Sequence, residues 1–171
     1  MKNTSDENLS EHAMQCAVLA HALAVINRDV FGGDANPEKA ACFALFHDSA
    51  EVLCGDLPTP VKYATAEMRQ TYKKIEENAS SVLLSKLPEK MRGAYSPLLL
   101  EAYDETTKKI VKTADRLCAL IKCLEERKSG NNEFDAALKS TQQLLTEYNS
   151  DELNYFLENF LPPFSKTLDE M

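Results

Sequence analysis

The sequence predicts an all-α protein that folds as a single domain over residues 1–171. Apolar residues recur at helical spacing through most of the chain, and no stretch shows the apolar-polar alternation of a half-buried strand. Residues that cap or end helices divide the chain at intervals. At 171 residues the chain is long enough to bury a core, and 44% of its residues are hydrophobic. Its five glycines and seven prolines leave no room for a low-complexity linker.

Capping residues, prolines and glycines set the expected order of the helices. Pro58 and Pro60 bias the residues before them away from helix, so DLPTP is expected to be an extended loop. The expected helices run from Ser10 to Asp29 with Met14, Val18, Val25 and Ile26 as apolar positions, from Asn36 and Pro37 to Cys54 before Gly55, from Thr65 to Lys86, from Pro88 to Gly93, from Ser96 to Tyr103, from Asp104 to Gly130, from Asn132 to Tyr148, and from Ser150 to Phe160.

Charge and composition limit the classes of function. A formal net charge of -8 argues against a surface that binds long nucleic acid, because phosphate neutralisation needs clustered Lys and Arg. The N-terminal residues MKNTSDENLSEH lack the apolar run of a signal peptide, and no later stretch is expected to reach transmembrane length. The five cysteines form no C-x-x-C pair and are expected to be reduced, mostly core thiols. We therefore expect a cytoplasmic protein that binds no membrane.

The segment CFALFHDSAEVLCGDLPTP concentrates charge in an apolar context. At about 100° per residue, His47, Asp48 and Glu51 share one arc of the second expected helix. The rest of that helix is apolar nearly all round, so it is expected to be buried. Small Ala40 and Ala44 on the same arc leave space above it. The pattern predicts the floor of a cavity.

A metal ion is one explanation for this charge. A buried carboxylate without a partner is costly or becomes neutral, and a divalent cation removes that cost. An imidazole with carboxylates suits Mn, Fe, Co or Zn. The alternative is that His47 and Asp48 form salt bridges with neighbouring helices. Because Glu51 follows one turn later and Asp56 follows the helix end, both interpretations stay open.

Further metal ligands have to come from other helices. His12 and His21 project about 180° apart on the first helix, so both cannot face one ion. His12 lies near the helix N-terminus and is the candidate ligand, whereas His21 is expected to be a core or surface residue. Asp115 flanks the apolar stripe of a later helix, and its spacing alone favours a surface ion pair. The candidate partners of that pair are Lys108, Lys112 and Lys122.

The order of His12, His47-Asp48 and Asp115 matches the H…HD…D motif of the HD-domain metal-dependent phosphohydrolases. The surrounding segments ENLSEHAMQ, FHDSAEVLCGDLPTPVKY, KTADRLCALIKCLEE and GNNEF together resemble the bacterial 5'-deoxynucleotidase family. The resemblance covers nearly the whole chain. It is weaker between residues 65 and 86 and after Phe134.

This resemblance implies an all-α HD domain that binds one divalent metal ion. It further implies hydrolysis of deoxyribonucleoside 5'-monophosphates to deoxynucleoside and phosphate. By motif match, Glu51 is the implied catalytic residue, placed to orient or deprotonate a water molecule. The implied metal ligands are His12, His47, Asp48 and Asp115.

The resemblance also implies a loop that contacts the sugar. Asp56 would accept a hydrogen bond from the 3'-hydroxyl, and a rigid wall there would reject a 2'-hydroxyl. The residues of this implied loop are Asp56, Leu57, Pro58 and Thr59. The family forms homodimers, so a homodimer is expected. The ligand set does not distinguish among Mn, Co, Fe, Zn and Mg.

The sequence departs from the family pattern at its start. The family carries an Arg-Trp pair upstream of the first motif, where the Arg orients the phosphate. Here eleven residues precede His12 and the chain contains no Trp, so we expect an intact metal site with impaired turnover. Two alternatives stay open. One is an HD phosphohydrolase acting on another phosphoester, such as a cyclic nucleotide or a triphosphate, and the other is a helical binding protein whose metal stabilises the fold.

Overall fold

The computed structural model describes residues 4, 7–57, 59–62 and 64–165, and within these ranges the secondary structure is helical without strands. The predicted all-α class is therefore confirmed. A π-helix at Ile26–Val30 continues α1, and 3-10 helices span Asn132–Phe134 and Pro162–Ser165. The α-helices are α1 (Leu9–Val25), α2 (Pro37–Phe46), α3 (Glu51–Cys54), α4 (Thr59–Lys62), α5 (Ala66–Lys86), α6 (Glu89–Leu99), α7 (Glu105–Lys128), α8 (Asp135–Tyr148) and α9 (Asp151–Asn159).

The described chain forms two compact units. In the first unit, residues 1–44 and 104–171, α7 packs against α1 and α8. In the second unit, residues 45–103, α5 packs against α3, α4 and α6. The single domain over residues 1–171 stays a prediction.

The cap of α1 is Asn8 rather than Ser10. The Asn8 side chain accepts hydrogen bonds from the amides of Ser10 and Glu11, and the Glu11 carboxylate accepts one from the Asn8 amide. This capping box provides hydrogen-bond acceptors for the amides of Asn8, Ser10 and Glu11, which a Ser10 cap would not do. The π-helix carries the helical stretch to Val30, close to the predicted end at Asp29.

The buried face of α1 also differs from the prediction. Met14 and Val18 are exposed, whereas the face toward the core carries other apolar residues. Those buried residues are Cys16, Ala17, Leu19, Ala20, Leu23 and Ala24. The apolar stripe that Asp115 flanks on α7 is predicted at Ile110, Ala114, Leu117, Ile121 and Leu124, and all of these but the half-buried Leu124 are buried.

One helical stretch in the described chain is long and apolar enough to cross a membrane by length and composition alone. It spans Leu9–Val30 with a mean hydropathy of 1.3 in its most apolar window. By that criterion, the expectation that no stretch reaches transmembrane length is wrong. Helices that pack in the core of a soluble protein meet the same criterion, and α1 packs along α7.

The second predicted helix is interrupted at the motif itself. α2 ends at Phe46, residues 47–50 form turns, and α3 begins at Glu51. The Ser49 hydroxyl donates a hydrogen bond of 2.7 Å to the Phe46 carbonyl, so a side chain competes for the acceptor that a continuing helix would use. The shared arc assumed for an unbroken helix therefore does not apply to the motif.

The burial predicted for this segment is only partly right. Ala40, Phe43 and Ala44 are buried, so the two alanines fill the core instead of leaving space above an arc. Four residues that were expected to be buried are exposed, two of them on α2 and two on α3. They are Cys42, Leu45, Val52 and Leu53.

Two other predicted boundaries are wrong. DLPTP is not extended throughout, since α4 begins at Thr59; Pro58 lies outside the described residues. The helices expected on either side of residues 94 and 95 are one helix, α6, which continues through Gly93 and Pro97. Proline removes one helical hydrogen bond, and α6 ends two residues later at Leu99.

The remaining boundaries follow the capping residues closely. Thr65, Asp104 and Ser150 each accept a hydrogen bond from a backbone amide in the first turn of the helix that follows. Asn131, rather than Asn132, caps the 3-10 helix before α8. All five cysteines are free, as predicted, and Cys16, Cys118 and Cys123 are buried.

Candidate active site

Two predicted metal ligands meet in the first unit. His12 lies in the first turn of α1, and Asp115 lies on α7. The His12 Nε2 atom is 3.4 Å from Asp115 Oδ1, because α1 packs along α7. His21, farther along α1, is exposed, so of the two expected placements, core or surface, it has the surface one.

Three lysines were predicted as possible partners of Asp115, and two of them pair with other residues. Lys108 pairs with Glu105 on its own helix. Lys122 pairs with Glu7 at 2.5 Å. Glu7 also lies within ion-pair range of the His12 ring, since its Oε1 is 4.0 Å from Nδ1. A carboxylate near the second ring nitrogen helps to orient a metal-binding histidine.

The second unit holds the other two predicted ligands. His47 and Asp48 lie in the turns after α2, and His47 Nε2 is 3.1 Å from Asp48 Oδ2. Both side chains are largely shielded from solvent. The amide of Glu51 donates a hydrogen bond of 2.9 Å to the Asp48 carbonyl. The turn therefore places Glu51 three residues after Asp48 and ties its amide to the Asp48 carbonyl, although no continuous helix does so.

The environment of Glu51 favours its protonated form. Burial raises the pKa of Glu51 to about 7, and the negative charges of Asp48, Asp56 and Glu76 act in the same direction. The positive charge of Lys62 opposes them. A carboxyl group with a pKa near neutrality can both accept and return a proton, which is the property of a general acid-base residue.

The predicted sugar loop begins where α3 ends. Gly55 ends that helix with a φ of 69°, Asp56 is exposed and Leu57 is half-buried. The Tyr72 hydroxyl donates a hydrogen bond of 2.7 Å to the Gly55 carbonyl, which fixes the start of the loop. Pro58 and the side chain of Thr59 lie outside what the structure describes.

Each pair of predicted ligands has a spacing that one metal ion can accept. With bonds of about 2.0–2.2 Å, two atoms bound to the same ion lie roughly 3.0–3.5 Å apart. The separations of 3.4 Å for His12 and Asp115 and 3.1 Å for His47 and Asp48 both fall in this range. Imidazole nitrogen with carboxylate oxygen is a donor set that suits several divalent transition metals.

Three residues around Glu51 were missed from the sequence. Lys62 Nζ lies 4.0 Å from Glu51 Oε1 and 2.7 Å from Glu76 Oε1, and it sits over the ring of Tyr72. Tyr72 and Glu76 are four residues apart on α5 and so share a helix face. A lysine just after a proline-rich loop, together with this spacing, is the signal that points to them.

Comparison with known proteins decides the family. The model of the YfbR-like family, described as 5'-deoxynucleotidase YfbR-like, matches residues 1–164. The chain belongs to this family. A 5'-deoxynucleotidase from Erwinia tasmaniensis is 50% identical, with 100% of this chain and 87% of the relative covered. Another family member with that name, from Vibrio cholerae, is 49% identical, with 100% and 89% covered.

A solved structure agrees with the assignment of this chain to the YfbR-like family. An HD-domain phosphohydrolase from Listeria innocua matches its fold with a TM-score of 0.85 and 28% sequence identity. The match covers 95% of this chain and 79% of that one. The predicted HD-domain fold is therefore confirmed.

Proposed function

We infer that this protein is a hydrolase that converts deoxyribonucleoside 5'-monophosphates to deoxynucleoside and phosphate. Its membership of the YfbR-like family and its relatives named 5'-deoxynucleotidase support this activity. One structural observation supports the assignment of this activity to the candidate active site. A shielded carboxyl group, Glu51, with a pKa raised to about 7, lies three residues after Asp48, and its amide donates a hydrogen bond to the Asp48 carbonyl.

We propose that one divalent metal ion is ligated by two histidines and two aspartates. The HD-domain fold implies such an ion, and the atom spacing within each ligand pair supports the assignment. When bound, it supplies polarisation of the phosphoryl oxygens and a lower pKa for water. Mn, Co, Fe, Zn and Mg all stay candidates. The proposed ligands are His12, His47, Asp48 and Asp115.

Glu51 is the proposed catalytic residue. Its carboxylate accepts a proton from the attacking water, whose oxygen forms the new bond to phosphorus. The bond between phosphorus and the 5'-oxygen then breaks, and the proton held by Glu51 passes to that leaving oxygen. The raised pKa of Glu51, about 7 in the metal-free protein, supports a role in which this group accepts and returns a proton.

The proposed sugar loop comprises Asp56, Leu57, Pro58 and Thr59. Asp56 is exposed, so its carboxylate is accessible to a ligand and can accept a hydrogen bond from the 3'-hydroxyl. The loop starts from a backbone carbonyl that Tyr72 fixes. A fixed wall beside the sugar would exclude the 2'-hydroxyl of a ribonucleotide.

Phosphate release from dAMP and AMP, measured with Mn²⁺ or Co²⁺, tests this function. We expect release from dAMP, loss of activity with a chelator, and much slower release from AMP. Equal rates on the two nucleotides would remove the sugar selectivity. Release from cyclic nucleotides or triphosphates but not from dAMP would favour the other phosphohydrolase. Metal-dependent melting without release from any nucleotide would favour the binding protein.

We also propose a cytoplasmic homodimer that binds neither membranes nor long nucleic acid. The family resemblance supports the dimer, and the net charge of -8 argues against long nucleic acid as a partner. Light scattering should give twice the mass of one chain. The mass of a single chain would contradict the dimer.

A further inference from the structure

Lys62, the last residue of α4, lies between two carboxylates. Its Nζ atom is 2.7 Å from Glu76 Oε1 and 4.0 Å from Glu51 Oε1. The Lys62 and Glu51 side chains are 22% and 13% exposed. Charges shielded in this way interact more strongly than an exposed surface pair. The cation is therefore well placed to restrain Glu51.

Two side chains of α5 restrain Lys62 itself. The Glu76 carboxylate lies 2.7 Å from the Lys62 ammonium. The Tyr72 ring lies beneath the same ammonium, with its centroid 4.4 Å away. Burial alone would lower the pKa of Lys62, but the hydrogen bond and charge of Glu76 raise it, and Tyr72 and Glu51 add to the effect. Lys62 is consequently a cation at neutral pH, and its flexible side chain is held in one place.

Tyr72 connects the same cluster to the sugar loop. Its hydroxyl donates a hydrogen bond of 2.7 Å to the carbonyl of Gly55, the residue before Asp56. Burial raises the pKa of Tyr72 to about 12, so the hydroxyl keeps the proton that it donates. One helix, α5, thus restrains both the cation beside Glu51 and the residue that precedes the loop.

An ion pair that merely docks α4 would explain part of this arrangement. α4 is a single turn, and such a short helix needs tertiary contacts to form. The Lys62–Glu76 pair alone would serve that purpose. Docking does not explain why Lys62 also lies near Glu51, which belongs to α3. Nor does it explain why Lys62 lies between two carboxylates that repel each other.

We propose that Lys62 is a positioning residue for the hydrolysis reaction, held by Glu76 and Tyr72 so that it fixes the carboxylate of Glu51. Tyr72 completes the arrangement by fixing the loop that presents Asp56. The proposal rests on the proposed function, because it takes Glu51 as catalytic and Asp56 as sugar-binding. Misplacing a reacting group lowers the rate of the chemical step, so the effect belongs in kcat.

The main test is steady-state kinetics on dAMP with saturating Mn²⁺, using the full chain. Lys62→Met removes the charge and keeps most of the aliphatic stem, whereas Lys62→Arg keeps a charge. We expect Lys62→Met to lower kcat by about tenfold or more with KM changed by less than about twofold. Lys62→Arg should recover part of the loss. Lys73→Met, at an exposed position of α5, is the matched control and should change neither constant.

A second variant separates the two connections made by α5. Tyr72→Phe keeps the ring under Lys62 and removes the hydrogen bond to Gly55. We expect a higher KM for dAMP and a smaller preference for dAMP over AMP, with kcat less affected than in Lys62→Met. Unchanged KM and unchanged preference would overturn the part of the proposal that concerns the loop.

The proposal for Lys62 is overturned if Lys62→Met folds, binds Mn²⁺ as the wild type does, and keeps its kcat. If that variant does not fold, Glu76→Gln releases Lys62 without removing it and should lower kcat in the same direction. A wild-type protein that releases no phosphate from any deoxynucleotide would defeat the proposed function instead. Crystal structures would then decide: a displaced Glu51 carboxylate in Lys62→Met supports positioning, and an unmoved one overturns it.

Discussion

His12 Nε2 lies 3.4 Å from Asp115 Oδ1, so the first turn of α1 and the body of α7 present an imidazole and a carboxylate together. Neither side chain has to be there for its helix to form. The apolar packing of α1 along α7 brings them together, and the proposed metal site depends on that packing.

Replacing Asp115 with Asn should weaken metal binding. The substitution keeps the size of the side chain and removes the charge that a divalent ion prefers in an oxygen ligand. We expect the affinity for Mn²⁺, measured by calorimetry, to fall by about 10- to 100-fold or more, as disturbed metal shells typically do. His21→Ala on the exposed part of α1 is the control. An Asp115→Asn protein with wild-type affinity would remove Asp115 from the ligand set.

The raised pKa of Glu51 predicts a pH-dependent stability of the metal-free protein. The pKa is about 7 in the folded state against an ordinary value of 4.5, so the folded state holds more protons between these values. The contribution to stability is fully present below the lower value and is lost as the pH rises through the higher one. Burial favours the protonated form, the charges of Asp48, Asp56 and Glu76 act in the same direction, and Lys62 opposes them.

Glu51→Gln tests that sign because Gln does not ionise. In thermal melts with EDTA, the variant should have a higher Tm than the wild type at about pH 8, and the difference should shrink toward pH 4. A difference in Tm that is the same at both pH values would contradict the raised pKa.

Asp104 should contribute measurably to the stability of the first unit. It caps α7 by accepting hydrogen bonds of 2.8 Å from both the amide and the hydroxyl of Thr107, and Lys39 Nζ lies 2.6 Å away. We expect Asp104→Ala to lower the free energy of unfolding in urea by about 1 kcal/mol. Asp135→Ala is the control because Asp135 starts α8 without acting as its cap. Equal losses in both variants would contradict the capping role.

Two glycines should respond to alanine in opposite directions. Gly55 has φ 69° and ψ 167°, a conformation that residues with a side chain rarely adopt, whereas Gly93 lies inside α6. A Cβ atom would meet no other atom within 4 Å at either position, so crowding is excluded as a cause. We expect Gly55→Ala to lower the free energy of unfolding by about 1–3 kcal/mol. Gly93→Ala should raise it by about 0.5–1 kcal/mol, and the reverse order would contradict this account.

The parts of the fold that the sequence predicted well depend on neighbours in the chain. Thr65, Asp104 and Ser150 cap the next turn with their own side chains, so α5, α7 and α9 begin where capping rules place them. The apolar stripe of α7 was likewise readable from its spacing. The order of His12, His47-Asp48 and Asp115 indicated the family for a different reason, since a sequence motif can be compared with a family pattern before the fold is known.

Contacts between elements explain most of what the sequence did not predict. The break after Phe46 depends on the Ser49 hydroxyl, which competes for the Phe46 carbonyl. The spacing of apolar residues does not reveal such a competition. The cluster of Lys62, Tyr72 and Glu76 exists because α4 packs on α5. Tyr72 is buried and the Lys62 and Glu76 side chains are partly shielded, but their separate positions in the sequence do not reveal this contact.

The central claim is that Glu51 performs the proton transfer at a metal-dependent site. Phosphate release from dAMP should be measured with Mn²⁺ for the wild type, Glu51→Gln, and the exposed control Glu77→Gln. We predict that Glu51→Gln binds Mn²⁺ with wild-type affinity and loses about 10²-fold or more in kcat, while the control stays active. A Glu51→Gln protein as active as the wild type would contradict the claim.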